Sequence, residues 1–198
     1  MIKPSYKFYR GCYRLVSVVV GAVYRLRVSG KESIPAGAAM VCSNHSSLID
    51  PFIIALIFGI ESHLHFIAKV ELFKIPVISQ ILQKLGSIRV NRGMLDGTTI
   101  KSTFGYLKKD DKVVIFPEGT RTSQDDAVSA KNGAVKLAER AGVPIVPVYI
   151  PRKKPLFHKL HIVIGAPYQI DKTRRKRTPE EYAGLAEDLM FRIKALKG

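Results

Sequence analysis

The residues best able to do chemistry fall in three short stretches. The first is Asn44-His45-Ser46-Ser47-Leu48-Ile49-Asp50-Pro51. A histidine held by a carboxylate can act as a general base. The carboxylate fixes the tautomer and balances the imidazolium formed when the ring takes a proton from a hydroxyl. On a continuous helix, residues five apart point about 140° away from each other, so His45 and Asp50 meet only if the chain between them turns. Asp50-Pro51 has a second reading, because Asp suits a helix N-cap and Pro its first turn. A paired His–Asp base and a capping Asp beside an incidental His are both open on these residues alone.

The second stretch is Val113-Val114-Ile115-Phe116-Pro117-Glu118-Gly119-Thr120-Arg121-Thr122. An apolar strand runs into a loop with a glycine, a hydroxyl and an arginine. Gly119 permits close backbone approach, and Arg121 can fork onto phosphate oxygens. A plain turn with a surface arginine is the alternative. The third stretch is Gly86-Ser87-Ile88-Arg89-Val90-Asn91-Arg92, where Arg89 and Arg92 end a short strand. They are either edge charges or ligands of the same cleft.

These stretches need a scaffold. Apolar runs rich in Val and Ile predict strands over Ala38–Ser43, His63–Ala68, Ser87–Val90, Val113–Phe116, Ile145–Ile150 and His161–Ile164. Helical spacing covers Phe52–Phe58, Pro76–Leu85, Thr98–Lys108 and Ala130–Ala141, with Gly142 as a stop. This alternation predicts an α/β fold with a mostly parallel sheet flanked by helices. Ligands of such sheets bind beyond the carboxyl ends of the strands, which gives motifs at strand ends the most weight. Thr178-Pro179-Glu180-Glu181 reads as a capping box opening an amphipathic helix over 179–197.

The chain has 198 residues, one domain's worth, with a net charge of +16. Residues 1–30 carry six basic side chains and no acid, and residues 151–177 carry nine and one. Such faces attract nucleic acid, phospholipid or acidic protein. The run Leu15–Tyr24 is about half of what a membrane-spanning helix needs. Flanked by Arg10, Arg14, Arg25 and Arg27, it reads as a helix lying in the headgroup layer, and self-packing is the alternative. Residues 1–30 are therefore expected to form a membrane-associating segment and residues 31–198 the main domain. Two cysteines, Cys12 and Cys42, exclude a disulfide scaffold. Dinucleotide, P-loop, α/β-hydrolase and zinc-protease signatures do not occur. His63 and His65 alternate on a strand without a matching acid or Cys cluster, so they read as structural and no metal site is expected.

Five ordered blocks between residues 31 and 150 carry a family resemblance. Asn44-His45 with Asp50 resembles the NHxxxxD motif of the glycerolipid acyltransferases, and Phe116-Pro117-Glu118-Gly119-Thr120-Arg121 matches their FPEGTR. Lys69-Val70-Glu71-Leu72 with Pro76, Gly86–Arg92 and Val143–Val148 resemble the remaining blocks, and Lys131-Asn132-Gly133 a Lys-x-Gly on the intervening helix. The chain is most similar to the PlsC-like 1-acyl-glycerol-3-phosphate acyltransferases. That resemblance implies acyl transfer from acyl-CoA or acyl carrier protein to lysophosphatidate, giving phosphatidic acid. It implies His45 as base and Asp50 as its orienting partner. Lys69, Arg92, Gly119, Thr120 and Arg121 would hold the acceptor phosphate. Glu118 counts with this substrate-binding loop as its anchor, since a carboxylate repels phosphate unless a cation intervenes. No metal or dissociable cofactor is implied, and no covalent acyl-enzyme. The implied partner is an anionic membrane, at its cytoplasmic face, with the protein peripheral or monotopic. Departures are Asn91 for Asp, Thr122 for Ser and Leu48 for Trp. Competing readings are a related enzyme with another acceptor (glycerol-3-phosphate, another lysophospholipid, an aminoacyl lipid) and a basic nucleic-acid-binding protein. The second lacks a reading module.

Overall fold

Along Ala39–Ser43 (β2), alternate side chains go to opposite faces. Met40 and Cys42 enter one apolar cluster, Ala39 and Val41 another. Ile145–Tyr149 (β6) repeats the pattern, with Ile145 and Tyr149 on one side and Val146 and Val148 on the other. Both strands are buried throughout, as strands covered on both faces must be. The structure, a computed structural model, describes residues 3–91, 95–124, 129–171 and 177–197.

The other strands are β1 (Arg25–Ser29), β3 (Leu64–Lys69), β4 (Ile88–Val90), β5 (Lys112–Ile115) and β7 (Lys159–Ile164). The sheet order is β1-β7-β6-β2-β5-β3-β4. Among these strands only β6 and β7 pair antiparallel, so β1 and β7 run against the other five. The helices are α1 (Tyr6–Val23), α2 (Asp50–Phe58), α3 (Pro76–Lys84), α4 (Gly97–Leu107), α5 (Gly133–Ala141) and α6 (Pro179–Ala195). α1 and α2 cover one face, through Val20, Ile53, Ile54 and Ile57. α4, α5 and α6 cover the other, through Leu107, Val135, Leu137, Leu189 and Ile193. A fully buried Ile or Leu of this kind contributes roughly 1.5–3 kcal/mol. The expected α/β class, a mostly parallel sheet between helices, is the observed one.

Three local differences from the sequence reading have physical causes. First, Arg25–Ser29 is a strand, whereas the sequence reading places it in the membrane-associating segment. Its arginines point outward while Leu26 and Val28 pack inward, and it pairs with β7 from Arg25↔Lys159 to Ser29↔Val163. The boundary expected at residue 30 therefore lies beyond a strand of the main sheet. Second, α5 begins at Gly133 rather than Ala130, because the Lys131 amide donates to Pro117 O at 2.8 Å and ties this stretch to the loop after β5. Third, Asp50 does not cap α2. Ile49 occupies the N-cap, Asp50 is the first helical residue, and its carboxylate turns back toward the preceding loop. At the other end of the chain the capping box forms as read. Glu181 N donates to Thr178 Oγ1 at 3.3 Å and Thr178 N to the Glu181 carboxylate at 2.8 Å.

Candidate active site

β2 and β5 are neighbours, so their carboxyl ends bring the first two stretches side by side. The turn at Ser47–Ile49 reverses the chain after His45, and α2 starts at Asp50. This turn is what lets the two side chains meet. His45 Nδ1 lies 2.9 Å from Asp50 Oδ2. With Asp50 ionised, Nδ1 carries the proton and donates, which leaves Nε2 as the acceptor. The imidazole stacks on Phe116, with ring centroids 4.1 Å apart. Packing and hydrogen bonding together fix the ring's orientation.

Asp50 is fully buried. Its Oδ2 also accepts from the amides of Ser46 at 2.7 Å and Ser47 at 2.8 Å. Its Oδ1 faces Lys154 Nζ at 2.8 Å, and the same ammonium donates to Ser46 Oγ at 2.7 Å. Burial pushes the Asp50 carboxyl up. The His45 hydrogen bond, the Lys154 charge and the Ser46 amide outweigh it and hold the group below its ordinary 3.8.

Glu118 is also buried and turned inward. One carboxylate oxygen pairs with Arg152, and the other accepts the His45 backbone amide at 2.8 Å. Arg152 further donates to Thr122 O at 2.8 Å, and Thr122 N donates to His45 O at 2.9 Å. The Asn44 side chain bridges to the end of β6, donating to Ile150 O at 2.7 Å and accepting from Ile150 N at 2.8 Å. Glu118 thus joins the loop after β5 to the backbone of His45, which makes it an anchor and directs it away from any ligand on the open side.

Gly119, at φ +66°, takes the left-handed turn that follows, and Lys131 lies against it. Thr120 is half-buried and Arg121 exposed. Lys69 is half-buried at the carboxyl end of β3, the strand beyond β5. Arg92 lies outside the described residues. The buried charges of the site are paired, Asp50 with Lys154 and Glu118 with Arg152, and Arg121 is exposed on the loop after β5.

Lys154 and Arg152 are site residues that the sequence reading does not select. They sit in the basic stretch 151–177, read as a face that attracts nucleic acid, phospholipid or acidic protein. The signal that could have found them is the two motif acids, since buried carboxylates require counter-charges. Cys42 sits in the core, where burial pushes its thiol up, away from nucleophilic use. His63 and His65 both face Asp111, at 3.5 and 3.2 Å. Among the described residues, no three His, Cys, Asp or Glu side chains converge as metal ligands.

Comparison with known proteins bears on this arrangement. The 1-acyl-sn-glycerol-3-phosphate acyltransferase of Bacillus subtilis is 33% identical over 196 residues, covering 96% of each chain. The chloroplastic 1-acyl-sn-glycerol-3-phosphate acyltransferase LPAT1 of Arabidopsis thaliana is 30% identical over 138 residues, 67% of this chain and 37% of that protein. The crystal structure of the 1-acyl-sn-glycerophosphate acyltransferase PlsC from Thermotoga maritima superposes with a TM-score of 0.64 at 27% identity, covering 98% of this chain and 78% of that one. The Acyltransferase family model matches residues 25–151, from the first residue of β1 to just past β6. A match over well over half the chain, with a relative one-third identical along almost its whole length, makes this protein a member of the Acyltransferase family.

Proposed function

We propose that the protein transfers a fatty acyl group from an acyl thioester to the free glycerol hydroxyl of 1-acyl-glycerol-3-phosphate, forming phosphatidic acid. The observation that carries this reading is the His45–Asp50 pair at 2.9 Å at the carboxyl end of β2, in a chain whose relatives are named for that reaction. His45 Nε2 accepts the hydroxyl proton as the oxygen attacks the thioester carbonyl. The carbon–sulfur bond breaks, and the imidazolium returns its proton to the departing thiolate. Asp50 orients the ring and balances its transient charge. Holding acceptor and donor in line supplies the rest of the acceleration.

The turn at Gly119, Thr120 and Arg121 receives the acceptor phosphate, with Lys69 and Arg92 adding positive charge. Glu118 holds that loop in place through Arg152 and the His45 amide. Bond-making and proton transfer close on the two substrates and His45, so the scheme calls for no resident metal or cofactor. The donor is acyl-CoA or acyl carrier protein, both of which present a thioester.

The reaction takes place at the cytoplasmic face of an anionic membrane, with the protein peripheral or monotopic. Leu15, Val18 and Val19 of α1, at helical i, i+3, i+4 spacing, are exposed, while Tyr9 and Val20 on the other side are buried. No helix among the described residues is long and apolar enough to cross a membrane.

The test is thiol release from a long-chain acyl-CoA by purified protein on anionic vesicles, with and without lysophosphatidate. Wild type should require lysophosphatidate. His45→Ala should lose at least about 100-fold in rate while keeping its circular dichroism and vesicle binding. An active His45→Ala protein would overturn the mechanism. Release driven by another lysolipid instead would reassign the acceptor.

A further inference from the structure

The connection between β6 and β7 ends in two adjacent large apolar residues that face solvent, Leu156 at 60% and Phe157 at 75% exposure. Phe157 also holds a left-handed backbone, φ +61°, which is uncommon and strained for a bulky side chain. Three tethers maintain it against the end of α1. Phe157 N donates to Val23 O at 2.9 Å, Arg25 N to His158 O at 3.3 Å, and Tyr24 Oη to Lys154 O at 3.3 Å. The fold therefore fixes an exposed Leu-Phe pair at the C-terminal end of the helix whose outer stripe is Leu15, Val18 and Val19.

Basic side chains border the pair. Lys153 and Lys159 flank the pair in sequence, and Arg25 and Arg27 lie on β1, which pairs with β7; all four are exposed. An apolar tip within a cationic collar matches the layered chemistry of an anionic bilayer, hydrocarbon beneath phosphate. An acidic protein surface would match the collar but not the tip.

We infer that Leu156 and Phe157 form a hydrophobic wedge that inserts into the hydrocarbon layer of an anionic membrane beside α1. The inference rests on the membrane reading above and adds a second, independent point of insertion. It also links that point to the catalytic pair. The loop that carries the wedge carries Arg152 and Lys154, which hold Glu118 and Asp50. Depth of insertion then sets the height of His45 above the lipid surface.

The sequence contains no tryptophan, so Phe157→Trp in the full chain gives a single fluorescent reporter on the wedge. Val18→Trp gives a matched reporter on α1. Each variant is mixed with phosphatidylglycerol-containing vesicles, plain or brominated along the acyl chains. Blue-shifted emission from the Phe157→Trp protein, quenched by the brominated lipid, is the expected result. Phe157→Asn, a residue that tolerates the left-handed backbone, should weaken vesicle partitioning about tenfold or more with an unchanged unfolding midpoint. An unquenched wedge reporter beside a quenched α1 reporter would overturn the wedge and leave the membrane reading standing. Absence of vesicle binding by either protein would overturn both. A wedge reporter that responds to acyl carrier protein but not to vesicles would make the loop a protein-docking element instead.

Discussion

Lys154 carries more of the site's electrostatics than its place in a basic run suggests. Its side chain is 5% exposed and is shared between Asp50 and Ser46. Removing one partner of a buried pair leaves the other charge unsolvated and costs about 3–5 kcal/mol. Lys154→Met should therefore lower stability by about that much at neutral pH, read from urea unfolding. The pH dependence has a definite sign. Asp50's folded value lies below its ordinary 3.8, so its contribution is complete above that value and drains away as pH falls through the folded value. Without Lys154 the carboxylate protonates more readily, and the gap between wild type and variant should close on acidification. A gap that is flat with pH would mean that Lys154 acts through packing alone. At this scale His45 and Asp50 are legible as a pair of residue types, and their meeting is not, because it depends on the turn at Ser47–Ile49. Lys154 and Arg152 are hidden for another reason. A string of cations does not reveal which of them fold back to meet buried acids contributed by distant segments of the chain.

Elements are legible where period and punctuation agree. Six strands and five helices fall close to their expected places, because apolar runs of Val and Ile end at Gly, Pro or charge. β1 escapes, although Arg25-Leu26-Arg27-Val28 alternates as a strand should, because its two arginines also fit a segment lying at a lipid surface. What fixes β1 is the turn that follows it. Gly30 has φ +79°, and a Cβ there would sit 1.9 Å from the Ile164 carbonyl oxygen, a backbone atom that cannot swing away. Gly30→Ala should cost at least about 2 kcal/mol. Gly11→Ala, in α1 with nothing within 4 Å of the added Cβ, should instead be neutral or stabilising by up to about 1 kcal/mol. Thermal unfolding of the pair checks both signs. Equal effects would remove the argument from close approach.

At the scale of the whole molecule, charge and shape divide the work. The net +16 draws the protein toward anionic surfaces over roughly a Debye length, about 10 Å at 0.1 M salt. On the membrane reading, the apolar groups of α1 and of the β6–β7 connection would act only on contact. Raising salt from about 0.05 to 0.5 M should therefore weaken binding to anionic vesicles about tenfold or more and leave a salt-resistant remainder. Vesicle sedimentation across that range measures both parts. Binding that vanishes entirely would assign no role to the apolar groups. Composition points to the anionic partner at this scale, while the arrangement of the apolar contacts needs the fold.

The pairing of β1 with β7 has a consequence for how the protein is made. β1 joins the sheet only by lying against β7, from Arg25↔Lys159 onward. A ribosome delivers α1 and β1 well before β7. Contacts between such distant parts of a chain form late. Until β7 emerges, the nascent protein must therefore carry β1 without its partner strand. On the membrane reading, α1 is available to lipid before Arg152 and Lys154, which hold the site's buried acids, have been made.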